Sequence, residues 1–291
     1  MEMNGILLID KPGGWTSHDV VAKLRGLLGQ RRIGHSGTLD PMATGLLVVF
    51  LGRATRAVEF AEAQDKEYNA GLRLGLVTDT QDITGRVLEK READVSPQEL
   101  ESVLESFRGD LMQVPPMYSA IKIGGKKLYQ LARRGWEVER KPRKVRISRL
   151  DIIGEIEGGY TLHVRCSKGT YIRTLCHDIG QALGCGGVMS SLRRTAAGDF
   201  KCEDAHPLED VEKAVASGTV QELVLPVDRL FVKYPAVTID GPAEQKCRCG
   251  SAFHTGQADG KYRVYSKDGE FLMLGQVCGG RMSTVKSFFE V

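Results

Sequence analysis

No stretch of this chain stays apolar for the roughly eighteen residues that a membrane-crossing helix needs. Residues 1–10 have neither a basic start nor an apolar centre long enough for a secretory leader, so a cytoplasmic protein with no membrane partner is expected. The seven cysteines are an odd number scattered from Cys166 to Cys278, which excludes a disulfide framework and fits a reducing compartment. Cys247 and Cys249, with His254 nearby, resemble half of a zinc site, but the usual two-residue gap is missing and no second pair completes it; no metal is expected. The glycine-rich turn at residues 184–187 fits neither a Walker nor a dinucleotide phosphate loop, which leaves no nucleotide cofactor to expect. Repeats, low-complexity tracts and long heptads are also missing, so nothing argues for assembly and a monomer is the expectation.

What is there is a chain of 291 residues, 42% hydrophobic and 26% charged, long enough for one large domain and a small one. The net charge of +3 says little, but its distribution says more. Residues 122–149 carry eleven Lys or Arg against two acids, whereas residues 92–110 and 203–222 are mainly acidic. A basic block on a nearly neutral protein is the footprint of a polyanion binder, or else a solvated charged face. Gly124-Gly125, Tyr129 and Trp136 interleave turns and aromatic faces with this charge, which suits RNA.

Periodicity assigns the elements. Residues 5–9 form a short strand, and Thr16 or Ser17 caps a helix to residue 28 whose Val20, Val21, Leu24, Leu27 and Leu28 make one apolar stripe. A helix over 55–63 precedes a strand over 66–77, in which Tyr68, Ala70, Leu72, Leu74 and Leu76 alternate toward the core. Ser96-Pro97-Gln98-Glu99 reads as a capping box with proline at the first helical position, opening a helix to about residue 107. Two long strands over 145–157 and 160–166 meet at Gly158-Gly159, and a helix over 170–183 carries Arg173 in its first turn. A cation there opposes the helix dipole unless an anion holds it. Residues 188–195 return as a strand with Arg193 and Arg194 turned toward nucleic-acid backbone, residues 208–216 form a helix, and residues 225–228 read as a linker. Short alternating runs after Tyr234 then suggest a small β-barrel.

The stretch with the most chemistry is Gly34-His35-Ser36-Gly37-Thr38-Leu39-Asp40-Pro41, continuing through Ala43-Thr44-Gly45-Leu46. Two glycines, a histidine, two hydroxyls and an Asp-Pro step make a sharply turning polar loop. Residues 46–51 follow as a strand buried on both faces, so Asp40 stands immediately before a rigid element. Asp before Pro also commonly just starts a turn, and the loop alone leaves both readings open.

This loop resembles the motif of the TruB-type tRNA pseudouridine synthases. Similar blocks follow the family's order: Ile6-Leu7-Leu8-Ile9-Asp10-Lys11-Pro12, Lys66-Glu67-Tyr68, Thr78-Asp79-Thr80-Gln81-Asp82, Val114-Pro115-Pro116-Met117-Tyr118-Ser119-Ala120, Cys166-Ser167-Lys168-Gly169-Thr170-Tyr171-Ile172-Arg173 and Leu192-Arg193-Arg194. Residues 230–291 resemble the family only loosely. The resemblance implies an α+β fold: a mixed or antiparallel central sheet flanked by helices, in a catalytic domain over 1–229 whose thumb insertion, about 113–143, closes over RNA. It also implies a C-terminal PUA-like RNA-binding barrel over 230–291.

The activity implied is isomerisation of the uridine at position 55, in the T loop of tRNA, to pseudouridine. That reaction flips the base out, breaks its N1–C1′ bond and joins C5 to C1′, without metal, redox partner or ATP. The family's roles fall on Asp40 as nucleophile, on Arg173 paired with it, and on Tyr68, which stacks on the flipped base and is a candidate proton acceptor. Tyr171 borders the base, Leu192 closes the pocket and His35 fills the space the base leaves. Asp82 orients RNA or braces the loop, and Lys66 belongs to the same RNA-binding set. Direct attack on C1′ and removal of the C2′ proton both remain open. A noncatalytic RNA binder or folding chaperone is the competing class; a metal-dependent nuclease is disfavoured because no carboxylate cluster accompanies Asp40.

Overall fold

The computed structural model describes residues 2–132 and 134–289. They fall into two units, the first made of Met1–Pro41, Leu47–Glu62 and Asp204–Val291, the second of Met42–Leu46 and Ala63–Glu203. The fold is mixed α+β, as expected.

In the first unit the opening strand Gly5–Lys11 is buried almost throughout. The helix Ser17–Leu28 is started by a capping box in which Thr16 and Asp19 satisfy each other's backbone N–H, and it is ended by Gly29 in the left-handed region. Its stripe of Val20, Val21 and Leu24 packs with Leu7, Ile9, Ile33, Leu47, Val49, Leu51, Leu208 and Val211. Each of these side chains, withdrawn from water, contributes about 1.5–3 kcal/mol before entropy is charged against it. Strand Ile33–Ser36 runs antiparallel to the later half of Thr44–Leu51, with His35 opposite Val49.

Two expectations for this unit change. The helix over 55–63 is a 3-10 turn, Gly52–Ala57, followed by a short α-helix, Val58–Glu62. Residues 225–228, read as a linker, are pinned within this unit: Leu225 and Ile6 exchange backbone hydrogen bonds of 2.7 and 2.8 Å, and a 3-10 helix Val227–Phe231 follows. The opening strand offers unpaired peptide groups along its edge, and the returning chain satisfies them.

The same unit contains a five-stranded sheet in the order Ala236–Ile239, Gly260–Ser266, Phe271–Cys278, Arg281–Ser287 and Phe253–His254. It encloses a core of its own, including Ile239, Val264, Leu272, Val277, Met282 and Phe289. Cys247 lies in that core on a helix, Gly241–Arg248, that periodicity did not reveal, because Cys247 is its one buried residue. Burial pushes the Cys247 thiol up to about 11, while Cys249 is exposed.

The second unit is built on a sheet whose order is the start of Thr44–Leu51, then Gly187–Ala197, Lys66–Leu74, Gly159–Cys166, Arg143–Ile156 and Gly109–Gln113. The first of these pairs is parallel and the others antiparallel. Gly45, at φ +95°, lies so close to the Arg194 backbone that a Cβ would stand 2.4 Å from its carbonyl oxygen, so only glycine lets these strands meet. The long hairpin closes as expected, Ile156 opposite Gly159. The expected capping box is also present, with Ser96 and Glu99 opening the helix Pro97–Glu105. The helix Ile172–Ala182 lies on the Leu72 face of the sheet, since a Cβ at Gly187 would meet both Cys176 of the helix and Leu72. Between Gln113 and Arg143 the chain leaves the sheet to form a small hairpin, Lys122–Ile123 with Lys126–Lys127, and the helix Leu128–Ala132. Among the described residues no helix is long and apolar enough to cross a membrane.

Candidate active site

The sequence-derived site residues divide between the two units. Asp40 and His35 lie in the first; Lys66, Tyr68, Asp82, Tyr171, Arg173 and Leu192 lie in the second.

Asp40 sits in the turn between strands Ile33–Ser36 and Thr44–Leu51, half-buried. Gly37, at φ +71°, makes the turn possible. The backbone on either side of Asp40 is then tied down. Leu39, 3% exposed, donates its N–H to Ser17 Oγ at 3.0 Å. The carbonyl of Pro41 accepts from Gly14 N–H at 2.8 Å and from Lys11 Nζ at 3.3 Å. Lys11 is fully buried, and its ammonium also donates to the carbonyls of Trp15 at 2.6 Å and Pro12 at 2.8 Å. A buried ammonium is tolerated only with such partners, so Lys11 serves as a clamp on the Asp40 turn rather than as a surface charge. His35 is half-buried, its ring edge-on to His18 at 5.6 Å between centroids.

In the second unit the centre of the cluster is Arg173, 5% exposed, in the first turn of the helix Ile172–Ala182. Its Nη1 lies 3.8 Å from Asp82 Oδ2 and donates to the Thr80 carbonyl at 3.2 Å, while Nη2 donates to the Tyr118 carbonyl at 2.9 Å. Within this unit Asp82 is an anion of the kind that a cation at a helix start requires. Asp82 is itself 6% exposed, and its Oδ1 accepts from Thr80 Oγ1 at 2.8 Å, Thr84 N–H at 3.0 Å and Thr84 Oγ1 at 2.6 Å. These contacts make it a brace. The loop carrying it contains Gln81 at φ +64°, the one non-glycine with positive φ among the described residues. That conformation is held from both sides: Gln81 Oε1 accepts from Thr174 Oγ1 at 2.8 Å, and its carbonyl accepts from Met189 N–H at 3.1 Å.

The sheet supplies the rest. Tyr68 faces Val164 on one neighbouring strand and Arg194 on the other, and Leu192 faces Ala70. Cross-strand partners share a side, so Tyr68, Ala70, Leu192 and Arg194 lie on one face. Glu67, Asn69, His163, Arg165 and Arg193 lie on the other, joined by contacts such as His163 Nδ1 to Asn69 Oδ1 at 3.1 Å. Leu192 is buried and Tyr68 half-buried; Tyr171 is half-buried at the N-cap of the Arg173 helix. Lys66, 5% exposed, begins its strand and donates to the Gln64 carbonyl at 2.6 Å. The expectation that Arg194 reaches toward nucleic-acid backbone needs correction: it is 1% exposed, and its Nε donates to the Leu46 carbonyl at 2.7 Å. Its neighbour Arg193 is the exposed member of the pair.

Sequence reasoning missed Lys11 and Ser17 as holders of the Asp40 turn, and Thr80, Gln81, Thr84, Gln113 and Thr174 as holders of the Arg173 cluster. Several stand inside blocks already noticed, but nothing in their spacing says that they are buried or whom they touch.

Residues 25–172 match the family described as TruB family pseudouridylate synthase, N-terminal domain, and residues 173–232 match the tRNA pseudouridylate synthase B C-terminal domain. A protein named tRNA pseudouridine synthase B from Alkaliphilus oremlandii is 50% identical over 226 residues, covering 78% of this chain and 75% of its own. One of the same name from Clostridium kluyveri is 41% identical over 293 residues, covering 98% of this chain and 100% of its own. Among solved structures, an H/ACA ribonucleoprotein bound to a substrate RNA containing 2′-deoxyuridine has a chain 27% identical, with a TM-score of 0.74 over 98% of this chain and 85% of that one. A chain in a Cbf5–Nop10–Gar1 complex, 29% identical, gives the same TM-score and coverage.

Proposed function

The chain belongs to the TruB family of tRNA pseudouridine synthases, enzymes that isomerise uridine to pseudouridine in tRNA, and we propose that its target is the uridine at position 55 in the T loop. The observation that carries the catalytic assignment is the Asp40 turn, whose backbone is tied on both sides by Ser17, Gly14 and the buried ammonium of Lys11. A nucleophile must meet its target within a few tenths of an ångström, and a turn fastened at both flanks provides that constancy.

In this reading the flipped uridine meets Asp40 as the nucleophilic carboxylate. The N1–C1′ bond breaks, the uracil turns, C5 bonds to C1′, and the proton leaving C5 is balanced by one gained at N1. Arg173 is the catalytic cation, held within its unit by Asp82, Thr80 and Tyr118. Tyr68 stacks on the base and is the candidate acceptor of the C5 proton, with Leu192 and Tyr171 bordering the same base. His35 occupies the place the base vacates. Lys66 and Asp82, both buried, serve the RNA-binding set from behind by fixing the strand and loop that carry the contacting residues. The excursion between Gln113 and Arg143, rich in Lys and Arg, is the thumb that closes over RNA. The five-stranded sheet after residue 230 is a PUA-like module for the tRNA, and the enzyme acts in the cytoplasm as a monomer without cofactor.

The test is incubation of the purified protein with an unmodified tRNA transcript, in chelator, with pseudouridine mapped at single-nucleotide resolution beside Asp40→Asn. One new pseudouridine at position 55, lost in the variant while RNA affinity is kept, is the expected result, because phosphate contacts dominate affinity. Product at another position would overturn the target, and turnover by Asp40→Asn would remove the nucleophile. Tight binding without product would favour the noncatalytic RNA binder.

A further inference from the structure

We infer that Gln113 is a positioning residue for Arg173, acting through the backbone of Tyr171. The inference rests on the reading of Arg173 as the catalytic cation. Gln113 is the last residue of the strand Gly109–Gln113, and its partner Arg143 is the first of the strand Arg143–Ile156. The two residues therefore close the neck of the excursion over residues 114–142.

The Gln113 side chain turns inward, 5% exposed, and engages one residue twice. Its Oε1 accepts from Tyr171 N–H at 2.8 Å, and its Nε2 donates to the Tyr171 carbonyl at 3.0 Å. A side-chain amide thus does for Tyr171 what a neighbouring strand would do. Tyr171 is the N-cap of the helix Ile172–Ala182 and its own side chain makes no capping bond, so Gln113 fixes where that helix begins. Arg173 is two residues further on. From the same excursion the carbonyl of Tyr118 accepts from Arg173 Nη2 at 2.9 Å. The residues that leave the neck thereby hold Arg173 at two points, its backbone through Gln113 and its guanidinium through Tyr118. A change in the excursion would reach the catalytic cation through these two contacts.

A buried glutamine that merely satisfied its amide would affect folding stability alone. The test compares Gln113→Met, similar in shape but without hydrogen bonds, and Gln113→Glu, which keeps the bond from Tyr171 N–H and loses the one to the carbonyl. Single-turnover rate at saturating enzyme and Kd for an unmodified tRNA transcript are measured below the melting temperature of each full-length variant, beside Arg173→Lys. A shift of about 1 Å in a reacting group can cost on the order of a hundredfold, so a rate loss of roughly ten- to hundredfold is expected for Gln113→Met with Kd nearly unchanged. Gln113→Glu should also lose rate, because its carboxylate would set a buried, charged oxygen against the Tyr171 carbonyl. Hydrogen exchange on the unaltered protein adds a measurement that needs no variant: the Tyr171 amide, outside the helix's own bonds, should exchange slowly. A fast-exchanging Tyr171 amide, unaltered turnover in either Gln113 variant, or a loss confined to melting temperature would overturn the inference. If Arg173→Lys turns over normally, the catalytic reading fails first; if Arg173→Lys is slow while the Gln113 variants are not, only the positioning role falls.

Discussion

Replacing Asp82 with asparagine removes a charge 3.8 Å from Arg173 and leaves its volume in place. The separation of 3.8 Å corresponds to about 4 kcal/mol at an effective dielectric of about 20. Part of that survives the change, because the carbonyls of Thr80 and Tyr118 still accept from the guanidinium. The asparagine amide oxygen can also still accept from Thr84. Both partners are buried, the side chain of Arg173 being 6% exposed and that of Asp82 8%, so water cannot screen or replace the lost anion. A loss of about 2–4 kcal/mol is therefore expected, which is between about thirtyfold and about a thousandfold if it falls on the rate. Single-turnover pseudouridine formation with enzyme in excess, paired with thermal melts, separates a rate effect from a stability effect. Turnover within threefold of the unaltered enzyme, at an unchanged melting temperature, would show that the pair contributes nothing and would refute the reasoning.

Gly180→Ala sets two effects against each other. Alanine in a helix interior is favoured over glycine by about 1 kcal/mol, but a Cβ at Gly180 would stand 2.1 Å from Gly187 N, on backbone that cannot swing away. The clash should win, and a melting temperature that rises in Gly180→Ala would contradict the close helix–strand approach. Asp178, on the same helix, has its carboxyl pushed up to about 6 by burial. A raised carboxyl pKa means that the folded state holds its proton more tightly, so the stability from Asp178 is present below the unfolded value of 3.8 and is lost as pH rises toward 6. Asp178→Asn should then melt higher than the unaltered protein at pH 7.5 and almost equally at pH 3.5; an equal difference at both pH values would count against a buried, uncompensated carboxylate.

Features governed by neighbours along the chain were legible in the sequence. The cap at Thr16 or Ser17, the capping box at Ser96, the hairpin at Gly158 and the alternation of Tyr68, Ala70 and Leu72 each depend on residues a few positions apart, so spacing alone points to them. The loop around Asp40 and the block ending at Arg173 were likewise visible as motifs, and with them the family. The helix Gly241–Arg248 escaped because a single buried cysteine makes no periodic pattern.

Tertiary structure decided which charged groups are inside. Lys11, Lys66, Asp82, Arg173 and Arg194 are all 6% exposed or less, although nothing about a lysine, aspartate or arginine in a sequence announces burial. Each is buried because acceptors or donors from distant residues meet it: Pro41 for Lys11, Tyr118 for Arg173, Leu46 for Arg194. The cost of burying a polar group depends on partners that only the folded chain assembles. For that reason the sequence by itself determined the local elements and the chemistry available, whereas the three-dimensional fold determined that Asp82 braces Arg173 and that Gln113 reaches Tyr171 across fifty-eight positions of sequence.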